Sequence, residues 1–271
     1  MPAPVRSTLE NRYFERMAAA LGDKARLADA LVPGSVADVG AGGGELSALF
    51  AARDGISGVY AIDDAPDALA RLRDLSGVTA VAGSVAQLPG LAPLDNIVFC
   101  SVLHEVYSYA GGYPAVAEAL DLAAASLRSG GRLIIRNGVM PERPGEPATL
   151  TAPDDELVTD YLALTPHREL ALAHAGPGAW IGTRHAVAEA VLTLTWGRDS
   201  LPRESQERYQ LDTLDGYRHS VVTGRSLRLL RARSYVQPEY VRHLADYTLI
   251  DPASGHWFPP TNAVWVYEKS A

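Results

Sequence analysis

Residues 36–46, Val-Ala-Asp-Val-Gly-Ala-Gly-Gly-Gly-Glu-Leu, constrain the fold of this chain more than any other stretch. Val36 to Val39 read as a short β-branched strand, and the glycine-dense turn that follows leads into a helix beginning near Glu45. Such a turn belongs to an α/β sheet, whose ligands bind outside the carboxyl ends of the strands. The spacing then narrows the ligand. A dinucleotide turn needs Gly-x-Gly-x-x-Gly, the last glycine letting the helix pack close under a pyrophosphate. Here Gly40-Ala41-Gly42-Gly43-Gly44-Glu45 puts a carboxylate at that last position, where it would repel a phosphate at the helix N-terminus. The pattern that fits is Asp-x-Gly-x-Gly-x-Gly, as Asp38, Gly40, Gly42 and Gly44.

Strand–helix alternation continues on both sides of this turn. Residues 7–31 read as helical, with Leu9, Tyr13, Met17, Ala20 and Leu21 at helical spacing, and Pro33-Gly34 stops the pattern. Leu46, Leu49 and Phe50 give the inner face of the next helix. Val59–Ile62 is a second strand, closed by Asp63 and Asp64. Ala68, Leu69, Leu72 and Leu75 line another helix, Val78–Ala82 a third strand, and Leu94–Cys100 a fourth, with Ser101 through Tyr107 at its carboxyl end. A helix over Tyr113–Leu127 precedes Leu127-Arg-Ser-Gly-Gly-Arg-Leu-Ile-Ile135, a turn into a fifth strand. Asp63 puts a carboxylate at the edge of the strand beside the glycine turn, where it can accept two hydrogen bonds from a diol.

At these stations, over residues 34–137, the chain resembles the class I S-adenosylmethionine-dependent methyltransferases. The resemblance implies a Rossmann-like, seven-stranded, mostly parallel α/β sheet with helices on both faces. In that family the turn, here Asp38, Gly40, Ala41, Gly42 and Gly44, wraps the methionine part of S-adenosyl-L-methionine. Asp63, with Asp64 beside it, takes the ribose hydroxyls; alternatively Asp64 caps the helix from Pro66. Ser84 and Val85 fall where many relatives carry an aspartate for the adenine amino group, and a hydroxyl accepts that bond more weakly. Ser101 lies at the end of the fourth strand, facing the methyl donor by analogy. His104 and Glu105 follow as candidate general bases, or as packed residues of a helix start. Tyr13 with Phe14 either closes the pocket or packs its helix. Tyr13, Arg136 and Tyr209 are the residues expected at the substrate.

The resemblance extends to the remaining chain less directly. Residues 138–225 are expected as a helical cap inserted between strands five and six, with helices over 154–175, 185–194 and from 212. Residues 226–235 and 263–267 read as the sixth and seventh strands, the seventh antiparallel beside the sixth. The domain expectation is one methyltransferase domain over 1–271: N-terminal helices 7–31, cofactor core 34–137, cap about 138–225 and C-terminal strands 226–269.

Composition bounds the function classes. At 271 residues, 47% hydrophobic and 21% charged, the chain has ample material for a core. It contains no apolar run of membrane-spanning length and no signal-like apolar core near Met1, so a cytoplasmic enzyme is expected. The lone Cys100 excludes an internal disulfide and a two-cysteine metal site. No histidine or acid cluster has metal-site spacing, and Ser101 sits where magnesium-dependent catechol methyltransferases carry an aspartate, so no catalytic metal is expected. The net charge of −8 argues against a general nucleic-acid binder, although nine arginines face six acids between Arg198 and Arg242. That segment is either a solvated, ion-paired surface or a phosphate contact.

The function expected is methyl transfer to an oxygen or nitrogen of a small-molecule acceptor, without membrane or nucleic-acid partners; a homodimer is compatible with the sequence. Methylation of RNA or a nucleotide-containing acceptor, using the arginine segment, is the alternative within enzymes. A non-catalytic cofactor-binding protein of the same fold is the alternative outside them. Glu45 disfavours an NAD-dependent reductase.

Overall fold

The computed structural model describes residues 21–253 and 255–271, so the expected helix over residues 7–20, with Tyr13 and Phe14, lies outside the described residues. In chain order the strands are β1 (Gly34–Val39), β2 (Ile56–Asp63), β3 (Val78–Ala82), β4 (Leu94–Cys100), β5 (Leu127–Met140), β6 (Pro147–Thr151) and β7 (Ala173–Gly176). They continue with β8 (Ala179–Thr183), β9 (Gln210–Thr213), β10 (Leu227–Tyr235), β11 (Thr248–Asp251), β12 (Gly255–His256) and β13 (Asn262–Lys269). The longer helices are α1 (Glu45–Ala51), α2 (Pro66–Arg73), α3 (Leu103–Ala110), α4 (Tyr113–Ser126), α5 (Asp155–Leu164), α6 (Arg184–Leu194), α7 (Leu214–Val222) and α8 (Pro238–Leu244).

The chain divides into two compact units. Among the described residues, the first comprises 21–137, 217–233 and 264–271. Its sheet has the order β10-β13-β5-β4-β1-β2-β3. The pairs β1–β2, β1–β4, β2–β3 and β4–β5 are all parallel. Continuous apolar runs explain this arrangement, because strands covered on both faces bury successive residues: Val36, Ala37, Val39, Ile97, Val98, Phe99, Leu133, Ile134 and Ile135 are all buried. On α1, Leu46 and Phe50 fall one turn apart and pack inward with Val36, Val59 and Val98. β10 and β13 run antiparallel, since Ser270 N bonds Ser226 O at one end and Thr261 N bonds Tyr235 O at the other. The chain steps from β1 to β2 and β3 on one side, then returns to place β4 on the other. The carboxyl ends of β1 and β4 therefore flank a topological switch point, the usual ligand crevice of such sheets.

The second unit comprises residues 138–216 and 234–263. Its content corrects the expectation of a helical cap. A five-stranded sheet of order β12-β11-β6-β8-β7 is antiparallel throughout, and it draws β11 and β12 from beyond β10. Every residue of α6 is buried, so this helix forms the core of the unit together with Leu150, Val158, Tyr161 and Leu249. The helix expected over 154–175 ends at Leu164. Pro166 explains the stop: a residue before proline is forced out of helical geometry, and Thr165 is extended at ψ 134°. The next residues form β7 instead. Short strands such as Ala179-Trp-Ile-Gly-Thr183 carry too few alternations to be recognised from pattern alone.

Candidate active site

The glycine turn is fixed by backbone bonds to the neighbouring strand. Gly40 N and Ala41 N both donate to Ile62 O, at 2.9 and 3.1 Å, and Gly44 N closes the turn onto Ala41 O at 3.1 Å. Gly40, Gly42 and Gly44 have φ of 70°, 55° and 85°, the left-handed region that glycine enters without a Cβ penalty. The three differ in what a side chain would meet. A Cβ on Gly40 would come within 2.5 Å of Val102, and one on Gly44 within 2.5 Å of Leu75, so both are required by packing. A Cβ on Gly42 would meet nothing within 4 Å. This glycine borders open space at the carboxyl edge of the sheet, which suits close approach of a ligand to the backbone.

Asp63 ties β2 to that turn. Its Oδ2 accepts from Gly42 N at 2.8 Å and its Oδ1 from Ala65 N at 2.9 Å. A carboxylate has about four acceptor positions, so two bonds leave capacity for a diol. Asp64 is exposed, and the N-cap of α2 is Ala65, which makes no side-chain cap; the alternative role of Asp64 as a cap is not found. Ser84 is exposed and its hydroxyl accepts from Ala86 N at 3.4 Å, capping a 3-10 turn in which Val85 is the first, half-buried residue.

Below the turn, Asp38 is 1% exposed and accepts from Ser47 Oγ at 2.6 Å. Burial raises its pKa to about 6, against the opposing pulls of the Ser47 bond and the Lys24 ammonium; Asp63 adds a smaller upward push. Lys24 is itself buried, and desolvation pushes its pKa down. Neither Ser47 nor Lys24 was singled out from sequence. Ser47 was detectable in principle, as a polar residue between Leu46 and Phe50 on the inward face of α1.

At the end of β4, Ser101 is a non-glycine residue at φ 59°. Its N–H donates to Arg136 O at 2.7 Å, and its hydroxyl accepts from Arg136 Nη1 at 2.6 Å. The same guanidinium donates to Asp23 Oδ2 through Nε at 3.2 Å and Nη2 at 2.8 Å, with Arg136 2% exposed. Arg136 thus joins the ends of β4 and β5 to the segment that precedes β1. Tyr209 lies in the second unit, where its buried hydroxyl donates to Glu204 and desolvation holds its pKa well above the usual value. Cys100 is buried inside β4, and burial pushes its thiol up.

His104 is the second residue of α3, 6% exposed, and its Nδ1 lies 3.0 Å from Oδ1 of Asn137. Glu105 beside it is half-buried. Asn137 is wholly buried, and its Nδ2 donates to the hydroxyl of Tyr217 at 3.4 Å. Tyr217 stacks against Trp265 with ring centroids 4.4 Å apart and accepts from Tyr267 OH on its carbonyl at 3.1 Å. Neither Asn137 nor Tyr217 was assigned a role from sequence. The one available signal was the polar pair Arg136-Asn137 directly after the apolar run of β5.

Comparison with known proteins bears on residues 37–135, which match a family model described as a methyltransferase domain. No curated protein matches the chain. Among solved structures, the O-methyltransferase family 2 protein from Planctomyces limnophilus DSM 3776, in complex with apigenin, is 16% identical with a TM-score of 0.52, over 94% of this chain and 61% of that one. TnmH is 18% identical with a TM-score of 0.56, over 97% and 58%. An O-methyltransferase family protein from Burkholderia thailandensis is 12% identical with a TM-score of 0.55, over 97% and 60%. The chain therefore spans about three fifths of the length of these structures, and at such identities the likeness is one of fold.

Proposed function

We propose that this chain is a class I S-adenosylmethionine-dependent methyltransferase that transfers a methyl group to an oxygen or nitrogen nucleophile of a small-molecule acceptor. The observation that carries the reading is the turn itself: Gly42 borders open space while its N–H is held by Asp63, the acid at the end of the adjacent strand. These residues suit a ligand with an amine, a carboxylate and a ribose, and none of them suits a pyrophosphate next to Glu45. Asp38, Gly40, Ala41, Gly42 and Gly44 would hold the methionine part, Asp63 and Asp64 the ribose, Ser84 and Val85 the adenine, and Ser101 the edge nearest the methyl group. When bound, S-adenosyl-L-methionine supplies a methyl group made electrophilic by its sulfonium.

The protein then has to align the nucleophile, exclude water and, for a hydroxyl, remove a proton. His104 is the residue proposed for the proton, with Glu105 as the other candidate. The small-molecule reading is favoured over a nucleic-acid acceptor by the arginine segment. Arg198 pairs with Asp154 and Asp160, Arg203 lies 3.8 Å from Glu207, and Arg208 pairs with Glu169. Arg225 pairs with Asp121 and Arg228 with Glu268. At least five of the nine arginines are thus engaged with acids, which leaves less positive charge for phosphates.

The test is incubation with methyl-labelled S-adenosylmethionine and a panel of phenols and amines. Label should appear on an acceptor, and His104→Ala should slow transfer to a hydroxyl by about 10²–10⁴-fold while leaving cofactor binding intact. Unchanged turnover in that variant would remove the base role. Cofactor binding with no labelled product from any acceptor would favour the non-catalytic reading.

A further inference from the structure

We propose that Arg136 is a positioning residue for the cofactor turn: its guanidinium holds Ser101 in a left-handed backbone geometry, and that geometry seats Val102 against Gly40. The inference deepens the methyl-transfer reading and rests on it only for the identity of the ligand.

Ser101 and Arg143 are the non-glycine residues with positive φ among the described residues, and Ser101, at φ 59°, directly follows β4. A side chain in this region costs free energy, and the residue stays there only where its surroundings hold it. Gly40, Gly42 and Gly44 meet the same demand without a Cβ. At 101 the chain uses serine instead, and serine brings a hydroxyl that can be held.

Arg136 grips that residue twice. Its carbonyl accepts from Ser101 N at 2.7 Å, and its Nη1 donates to Ser101 Oγ at 2.6 Å. The first bond follows from the sheet, since β4 and β5 pair in parallel with Cys100 opposite Arg136. The second depends on the aim of a long side chain. A guanidinium is a rigid planar fork, so fixing one edge of it fixes the other. Asp23 Oδ2 takes Nε and Nη2, at 3.2 and 2.8 Å, which points Nη1 at Ser101. The two side chains are 2% and 7% exposed, so their bonds act in a medium of low dielectric and are stronger than they would be in water.

The consequence reaches the turn through one residue. Val102 is buried, and its Cγ2 lies 2.5 Å from the point where a Cβ on Gly40 would stand. Val102 therefore fills the space directly beside the first glycine of the turn. Release of Ser101 to an ordinary φ would swing Val102 and remove the surface on which the turn rests. A ligand would then have to restore the left-handed residue as it binds, which lowers affinity by about 5–30-fold.

The experiment is calorimetric titration of S-adenosylhomocysteine into the wild type, Arg136→Lys and the double variant Arg136→Lys/Ser101→Gly. Arg136→Lys keeps a positive charge beside Asp23 but has no fork to span Asp23 and Ser101, so Kd should rise about 5–30-fold. Glycine takes φ 59° with nothing to hold it, so the double variant should recover most of that loss. An arginine that touched the ligand, or that only stabilised the fold, would give no such recovery. Unchanged affinity in Arg136→Lys, or a double variant no better than the single one, overturns the proposal. If Arg136→Lys does not fold, Ser101→Ala and Ser101→Gly replace it. Both lack the hydroxyl, and Ser101→Ala should bind more weakly than Ser101→Gly; equal affinities overturn the proposal. The amide ¹H–¹⁵N resonances of Gly40 and Gly42 in ligand-free protein separate it from the methyl-transfer reading. They should move in Arg136→Lys and return in the double variant. That response in a wild type that binds no S-adenosylhomocysteine discards methyl transfer and keeps the positioning role; binding with resonances indifferent to Arg136 does the reverse.

Discussion

Replacing Asp38 by Asn should make the protein more stable and less able to bind its cofactor. Asp38 is 1% exposed, and burial lifts its pKa from the ordinary 3.8 to about 6. The shift is worth roughly 3 kcal/mol at about 1.36 kcal/mol per pH unit. The sign follows from proton counting. Between pH 3.8 and about 6 the folded state holds more protons at this site than the unfolded state, so stability falls as pH rises through that window. Above it the ionised carboxylate imposes its full penalty. Asn keeps an acceptor for Ser47 Oγ, which now bonds Asp38 at 2.6 Å, but carries no charge to desolvate. The value of about 6 already contains the opposing pull of Lys24, so the gain at pH 7.5 should be about 2–3 kcal/mol. Urea denaturation of both proteins at pH 7.5, 6 and 4.5 measures the difference, since all other titrating groups are common to the two. The gap should shrink steadily towards pH 4.5. A variant no more stable than wild type at pH 7.5, or a gap independent of pH, would refute the reasoning. A gain in stability coupled to a loss of ligand affinity is what a residue kept for binding should show.

Other substitutions probe the remaining parts of the account. Gly42→Ala should cost only the left-handed backbone penalty, about 1–2 kcal/mol, yet abolish S-adenosylhomocysteine binding in calorimetry, because its methyl enters the open space beside the turn. Gly40→Ala should instead destabilise by about 2–4 kcal/mol in denaturant, since its Cβ collides with Val102. Ser84→Asp keeps the capping acceptor and supplies a carboxylate for the adenine amine, so the ligand's Kd should fall several-fold. In the second unit, Asp251→Ala should cost about 3 kcal/mol by urea denaturation, because the buried Arg184 loses a buried counter-charge and keeps the half-exposed Glu146 at 3.2 Å and the Glu142 carbonyl at 3.1 Å.

The sheet was readable in the sequence because parallel strands covered on both faces are continuous apolar runs, and because glycines flank β1, the start of β2 and β3. β1 to β5 fall where those runs lie, and β10 and β13 take the positions expected of the sixth and seventh strands. The second unit was not readable. Its strands are two to five residues long, and the apolar residues around Leu170 that pack against α6 recur at spacings a helix would also produce. The site was legible where chemistry sits in one short stretch, as in the glycine turn, and at Asp63, which a family pattern marks. It was not legible where function depends on contacts across the sheet. Asn137 and His104 are 33 residues apart, and the bond from Gly42 N to Asp63 spans 21; nothing in local periodicity predicts either. Arg136 shows the converse, since an arginine at a strand end suggests a substrate contact until its bonds to Asp23 and Ser101 are seen.

The most direct test of the central claim is calorimetric titration of S-adenosylhomocysteine into the wild type and into Asp63→Ala, with NAD in parallel. The account predicts one-to-one binding of S-adenosylhomocysteine, no binding of NAD, and a loss of roughly 10–100-fold in Asp63→Ala, the worth of charge-assisted hydrogen bonds at about 1.5–3 kcal/mol. Binding of NAD alone, or equal affinity of both proteins for S-adenosylhomocysteine, would contradict it.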